Sequence, residues 1–270
     1  MEYNKLYKSG LFFIIFIYGL CYGQNYRVNY QMSYKRDSLS KEFTKKNMVL
    51  LIKNNKSKFY TQDQFISDSI TLTSKKTGRY GYDFMVIKDH QGGKIYRFTN
   101  LLRDLYKSSD KMPVLNWKIS KETKKIGDYM CQKATLNYSN RIWEAWFTTD
   151  IPLQEGPYVF SGTPGLIINL KDTKDNYEFS FTGIKKDDTT DIEYLSMKPL
   201  DVSRIQLNKI LLDNYNDPYR EMKSGKIKAR WQDEDGKEFT PNYNELTKAE
   251  QKNIKKYNNP IELSEAVKYP

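Results

Sequence analysis

Residues 141–183 read RIWEAWFTTDIPLQEGPYVFSGTPGLIINLKDTKDNYEFSFTG, and this stretch decides the fold. It divides into strand, turn, strand, turn, strand. In the first strand Trp143, Ala145 and Phe147 share one face, and Ile142, Glu144 and Trp146 share the other. Ile151-Pro152 and Gly156-Pro157 then break the ladder, because proline has no N–H to give a neighbouring strand. Gly162-Thr163-Pro164-Gly165 turns the chain sharply: glycine reaches positive φ without steric cost, and proline fixes its own φ. In the second strand Leu166, Ile168 and Leu170 share a face. In the third, Tyr177, Phe179 and Phe181 alternate with Glu178, Ser180 and Thr182, the period of two that marks a half-buried strand. The segment organises a β-sheet and carries no recognisable catalytic chemistry.

The same period runs upstream. Tyr26, Val28, Tyr30, Met32 and Tyr34 share one face within residues 25–37. Lys45 to Lys53 is a more apolar strand, and Asn54-Asn55 is a hairpin turn into Lys58 to Thr61. Residues 63–74, with Phe65, Ile66, Ile70 and Leu72, fit a short helix or an irregular crossing. Tyr82 to Lys88 and Lys94 to Phe98 are strands about the turn Asp89-His90-Gln91-Gly92-Gly93. Residues 101–113 read as loop or a helical turn, and Val114 to Ile119, with Trp117, as a strand. Gly127 to Tyr138 is a strand apolar in part on both faces, which a bulge or burial on both sides reconciles.

After Pro199 the texture changes. Val202, Ile205, Leu207, Ile210, Leu211 and Tyr215 have helical spacing, and Asp201 suits an N-cap. A helix is predicted at 202–215, resuming to Lys223. Residues 225–243 are polar loop, Glu245 to Tyr257 an exposed helix, and the tail to Pro270 loose. The fold class is therefore mainly β: a curved antiparallel sheet, half-barrel-like, with one or two C-terminal helices. Residues 24–200 form the β domain, and residues 201–270 form a helical and loop extension packing on it.

The N-terminus reads as a processing signal. Lys5 and Lys8 precede the apolar run Leu11 to Leu20, and Cys21-Tyr22-Gly23 puts small residues at −3 and −1 of a cleavage site before Gln24. Ten apolar residues rise only about 15 Å as a helix, roughly half a bilayer core. Acylation of Cys21 fits poorly, because Leu20 stands where a small residue is wanted. Residues 1–23 are thus a signal peptide, and the expected destination is the periplasm, the outer membrane's surface or the medium. The chain after it has 42 basic and 32 acidic residues. That excess is scattered among acids and does not form a nucleic-acid footprint. Only Cys131 remains after cleavage, so no internal disulfide forms; it reads as a small buried hydrophobe, and the sharper reading is a free thiol for metal or intermolecular pairing.

Gly162-Thr163-Pro164-Gly165-Leu166-Ile167 resembles the signature hexapeptide of the GLPGLI family of exported bacterial proteins, with Thr163 in place of Leu. Tyr129 to Ala134, Arg141 with Ala145 to Thr148, Ile151-Pro152 and Gly156-Pro157 are similar to that family's flanking segments. The resemblance covers about residues 125–185. It implies a β-rich envelope protein, similar in layout to the half-barrel of periplasmic lipoprotein carriers, and it brings no catalytic residues.

No nucleophile–His–acid pattern surrounds His90, the single histidine, which reads as solvated in its turn. No metal-ligand spacing, phosphate loop or dinucleotide fingerprint occurs, so no metal or cofactor is expected. Acid runs such as Asp233-Glu234-Asp235 read as solvated loops. What remains is aromatic: Trp143, Trp146, Phe147, Tyr158, Phe160, Phe179 and Phe181, with Tyr177, either form the core beneath the helix at 202–215 or line an apolar cleft. The sequence thus predicts an exported protein without catalysis that binds a hydrophobic or amphipathic ligand. A structural module of an outer-membrane complex is the alternative, and an unrecognised hydrolase the third reading. The expected partners are a lipid or other hydrophobic ligand and outer-membrane proteins, with no nucleic acid.

Overall fold

The computed structural model describes residues 25–74 and 82–270. The signal predicted at 1–23 lies outside those residues. Among the described residues twelve strands form one sheet. In chain order they are β1 (Tyr26–Tyr34), β2 (Thr44–Lys53), β3 (Lys56–Thr61), β4 (Val86–Asp89), β5 (Lys94–Leu101), β6 (Asp104–Lys111), β7 (Lys118–Ile126), β8 (Tyr129–Tyr138), β9 (Arg141–Thr148), β10 (Leu166–Asp172), β11 (Tyr177–Lys186) and β12 (Leu200–Asp201). Their order across the sheet is β12-β6-β5-β4-β3-β2-β1-β11-β10-β9-β8-β7. Two antiparallel meanders, β2 to β6 and β7 to β11, are thus joined by β1 between them. The two-residue β12 pairs parallel to β6.

The sheet bends back on itself. Seven strands lie between β5 and β8, yet Arg97 Nη2 on β5 is 3.4 Å from the Tyr138 hydroxyl on β8. The face that carries both residues is therefore concave. Val28, Tyr30, Met32, Leu50, Phe59, Trp143 and Phe179 are buried on it. The long connection between β9 and β10, residues 149–165, folds into the hollow and fills it. Val159 and Phe160 are fully buried there, with the Phe160 ring 4.6 Å from that of Trp143. Each such large apolar side chain contributes roughly 1.5–3 kcal/mol on leaving water. A second core lies on the convex face, where helix α1 (Gln62–Ser74) covers Val49, Leu51 and Tyr60.

The curved, mainly antiparallel sheet agrees with the sequence reading, and several segments differ from it. Residues 104–111 are strand β6, not a loop or helical turn. β7 begins at Lys118, and Val114 to Trp117 run outside the ladder. Residues 62–74 form a helix. Helix α2 (Arg204–Asn216) is capped by Ser203 instead of Asp201: Ser203 Oγ accepts from Gln206 N at 3.2 Å, and Gln206 Oε1 accepts from Ser203 N at 2.8 Å. Asp201 instead lies in β12, where it pairs with Lys107. Helices α3 (Arg220–Lys223) and α4 (Tyr243–Lys256) follow. The tail is strapped down, not loose. Asn259, Ile261 and Glu262 are buried across the open end of the hollow, because Arg141 on β9 donates to Asn259 Oδ1, Pro260 O and Ile261 O at 2.6–3.0 Å.

Candidate functional site

The mouth of the hollow holds a cleft of about 360 Å³, lined by Arg97, Asp110, Tyr138, Arg204, Glu262 and Glu265 among others. β5 supplies Arg97, β6 supplies Asp110, α2 supplies Arg204, and the C-terminal strap supplies the two glutamates. These five charges alternate in sign. Arg97 donates to Glu262 from Nε and Nη2 at 2.6 Å each, and from Nη1 to Asp110 Oδ2 at 3.0 Å. Arg204 Nε reaches the same Asp110 oxygen at 3.0 Å, and its Nη1 reaches Glu265 Oε2 at 3.0 Å. The planar guanidinium fork suits such bridging, which a lysine could not copy.

The two kinds of acid differ in what they can do. Glu262 is buried and also accepts from the hydroxyls of Tyr138 at 2.5 Å and Tyr158 at 2.9 Å. Burial alone would raise its carboxyl, but the Arg97 guanidinium and the Tyr138 hydroxyl outweigh burial and hold it below the usual range. With both oxygens occupied it is a fixed anion that orients Arg97. Asp110 and Glu265 are partly exposed, so they can meet a molecule in the cleft.

A second buried network lies deeper in the hollow. Glu155 in the 149–165 connection sits between Lys88 Nζ and His90 Nε2, at 2.5 Å from each. Lys88, completely buried, also donates to the carbonyls of Gly156 and Phe160 at 3.3 Å. Burial opposes the Glu155 charge, yet Lys88 and His90 prevail and depress its carboxyl to about 2. His90 stays exposed in the turn after β4, as the sequence reading has it, and through Glu155 ties that turn to the filling connection. Glu155 lies 65 residues away, and no spacing rule could have paired them. Among the described residues no group of three or more His, Cys, Asp or Glu could hold a metal ion.

The aromatic residues singled out in the sequence are brought together only in part. Trp143, Phe147 and Phe179 are buried in the concave core beneath the 149–165 connection, which itself contributes Phe160, and not beneath α2. Trp146 lies under the ammonium of Lys124 at 4.0 Å. Phe181 is half-buried against Tyr30 and Tyr129. Of these residues, Tyr158 is the one that reaches the charged cleft, through Glu262. Cys131 is buried, which pushes its thiol up.

The hexapeptide 162–167 is a structural turn. Gly162 has φ +85°, and a Cβ on Gly165 would lie 1.9 Å from the Thr148 carbonyl oxygen. Thr163 is buried, and its hydroxyl donates to Gly165 O at 2.7 Å. Leu166 and Ile167 pack in the core, while Pro164 is exposed.

Residues 32–205 match the family model described as N-glycanase peptide, N-terminal domain. The structure of PNGF-II in space group P21 superposes with a TM-score of 0.51 at 18% identity, over 69% of this chain and 33% of that one. PNGF-II in space group C2 gives 0.48 at 18% identity, over 67% and 31%. This chain therefore covers about a third of the length of those structures. No curated protein matches it.

The family match replaces the resemblance to the GLPGLI family. The physical reason lies in the turn: its two glycines answer to backbone geometry, so the hexapeptide reports a fold feature and not a lineage. The reading of the chain as a non-catalytic envelope protein that binds a hydrophobic ligand, and the expectation that it is not an enzyme, are overturned by the same match. Among the described residues no helix is long and apolar enough to cross a membrane.

Proposed function

We propose, on the premise that this chain belongs to the N-glycanase peptide N-terminal domain family, that it acts on N-glycosylated peptides and engages them at the concave cleft of Arg97, Asp110, Arg204, Glu262 and Glu265. The family match carries the reading, since residues 32–205 span β2 to β12 and so most of the sheet that shapes the cleft. The geometry supports it. A cleft of about 360 Å³ falls in the range of small-ligand sites, roughly 300–1,000 Å³. Its carboxylates and guanidinium groups offer the planar acceptors and donors that sugar hydroxyls and peptide amides use.

The roles follow from exposure and bonding. Asp110 is the carboxylate placed to take a proton from water or a substrate hydroxyl. Arg204 is placed to stabilise negative charge that develops beside it. Glu262 and the two tyrosines hold Arg97 in position. Export through a signal at residues 1–23, into the periplasm or beyond, suits a protein that meets glycosylated peptides outside the cytoplasm.

The test is to incubate residues 24–270 with an N-glycosylated peptide and to follow glycan release by mass spectrometry. Release that Asp110→Asn abolishes without a change in melting temperature supports the reading. A glycopeptide left intact by the wild-type chain overturns it.

A further inference from the structure

Tyr158 stands in the left-handed region at φ +55°, where a bulky side chain is an outlier. Such conformations persist only where the surroundings over-determine them, and they gather at functional sites. The surroundings of Tyr158 do hold it. Phe160 N donates to Pro157 O at 3.1 Å and closes a turn over 157–160. Glu155 and Ser161 pair across the base of that turn as an antiparallel bridge. Lys88 Nζ clasps it from the sheet, donating to the carbonyls of Gly156 and Phe160 at 3.3 Å, on either side of Tyr158. Val159 and Phe160 anchor the turn in the core.

What the turn delivers is one hydroxyl. Tyr158 donates to Glu262 Oε2 at 2.9 Å, and the same oxygen accepts from Arg97 Nε at 2.6 Å. Arg97 in turn reaches Asp110 Oδ2 at 3.0 Å. Burial and the Glu262 charge push the Tyr158 hydroxyl well above its ordinary range, so it stays a donor. None of Lys88, Glu155 and Tyr158 lines the cleft itself. A buried ion pair adds little stability over well-packed apolar side chains, so filling the hollow does not account for Lys88 and Glu155. A fixed place for the Tyr158 hydroxyl does.

We propose that Lys88 is a positioning residue of the concave cleft: it holds the 156–160 turn so that the Tyr158 hydroxyl fixes Glu262, and through Glu262 the Arg97 fork and the Asp110 carboxylate. The inference rests on the function proposed for that cleft and adds to it the buried device that sets its geometry.

The test reads the Arg97 Nε–H resonance of ¹⁵N-labelled residues 24–270 by NMR, together with its exchange with water. Lys88→Met combined with Glu155→Gln removes both buried charges at once and leaves neither unpaired. The expected result is an Arg97 Nε–H that moves upfield and exchanges at least tenfold faster, while amides of β1 and β2 stay within twofold. Tyr158→Phe gives the same change by itself. Joining it to the charge-free pair adds less than twofold more, because both act through one hydroxyl. In the glycopeptide assay each lowers kcat at least fivefold and leaves KM within twofold. Exchange needs no turnover, so this inference and the proposed activity fail separately. Arg97 exchange that either change leaves as it was overturns the proposal, and so do independent effects that multiply in the combination. Equal acceleration throughout β1 and β2 also overturns it, as does a raised KM with kcat unchanged. If the charge-free pair does not fold, Pro157→Ala loosens the same turn from within, and the same outcomes decide.

Discussion

Arg97 and Glu262 are 165 residues apart and share two hydrogen bonds of 2.6 Å, which close the mouth of the concave sheet. The pair has little access to water, so its two halves are not independently dispensable. Glu262→Ala leaves a buried guanidinium with Asp110 as its remaining acid, and strips the acceptor from Tyr138 and Tyr158. Removing one partner of a buried pair costs about 3–5 kcal/mol. The expected outcome is a loss of that order in urea unfolding. Glu262→Gln, which keeps the acceptor oxygen, loses less.

The turn at 162–165 separates two kinds of glycine requirement. Gly162 has φ +85°, and a methyl added there would meet nothing within 4 Å, so Gly162→Ala meets only the left-handed backbone penalty, about 1–2 kcal/mol. At Gly165 the methyl would stand 1.9 Å from the Thr148 carbonyl oxygen. Main chain cannot move aside there without breaking the β9–β10 pairing. Gly165→Ala should therefore cost roughly 4 kcal/mol or more. Denaturant midpoints of the two variants check the order, and equal losses would remove the close-approach argument.

Glu155 gives the fold an acid limb. Its carboxyl is depressed in the folded chain to about 2 from an ordinary 4.5. The unfolded chain therefore binds the proton first as pH falls. The stabilisation is complete above pH 4.5 and is lost progressively towards pH 2, with a size on the order of 3 kcal/mol. Glu262, Asp187 and Glu144 are also depressed, so the wild-type curve alone does not isolate Glu155. The difference between wild type and Glu155→Gln does. It should be largest near neutral pH, where Lys88 loses its counter-charge, and shrink as pH approaches 2. A difference that stays constant from pH 6 to pH 2 would refute the assignment.

These networks explain what the sequence could and could not disclose. β9 and β11 are legible because one face of each is buried and the other meets water or polar neighbours, which writes a period of two into the residues. β7 carries no such record. Its residues, KISKETKKI, are largely exposed because it is an edge strand with β8 as its one neighbour. The strap at 258–262 is irregular main chain held by the side chains of Asn259 and Glu262 and by carbonyls that Arg141 reaches, so nothing repeats. The cleft is assembled from β5, β6, β8, α2 and the tail. Its residues are ordinary charged ones in sequence, and only the curvature of the sheet brings them into hydrogen-bonding range.

Arg141 offers the most direct way to loosen that assembly from a distance. It is buried, pairs with Asp172 at 3.2 Å and holds three acceptors of the strap at 2.6–3.0 Å. Lysine keeps the charge but carries three donors on one nitrogen, and it cannot span acceptors arranged around a planar fork. Hydrogen bonds from a charged donor are worth about 1.5–3 kcal/mol each. Arg141→Lys should therefore cost on the order of 3 kcal/mol, most of it local to the strap. Hydrogen exchange should quicken at 258–265 before it does in β1, β2 or β11, because those strands keep their ladders. Glu262 leaves Arg97 when the strap loosens, so any activity that depends on the cleft should fall in this variant although Arg141 is not among the residues lining it. Uniform acceleration of exchange across the sheet would instead make Arg141 a general core residue, and the strap no separate unit.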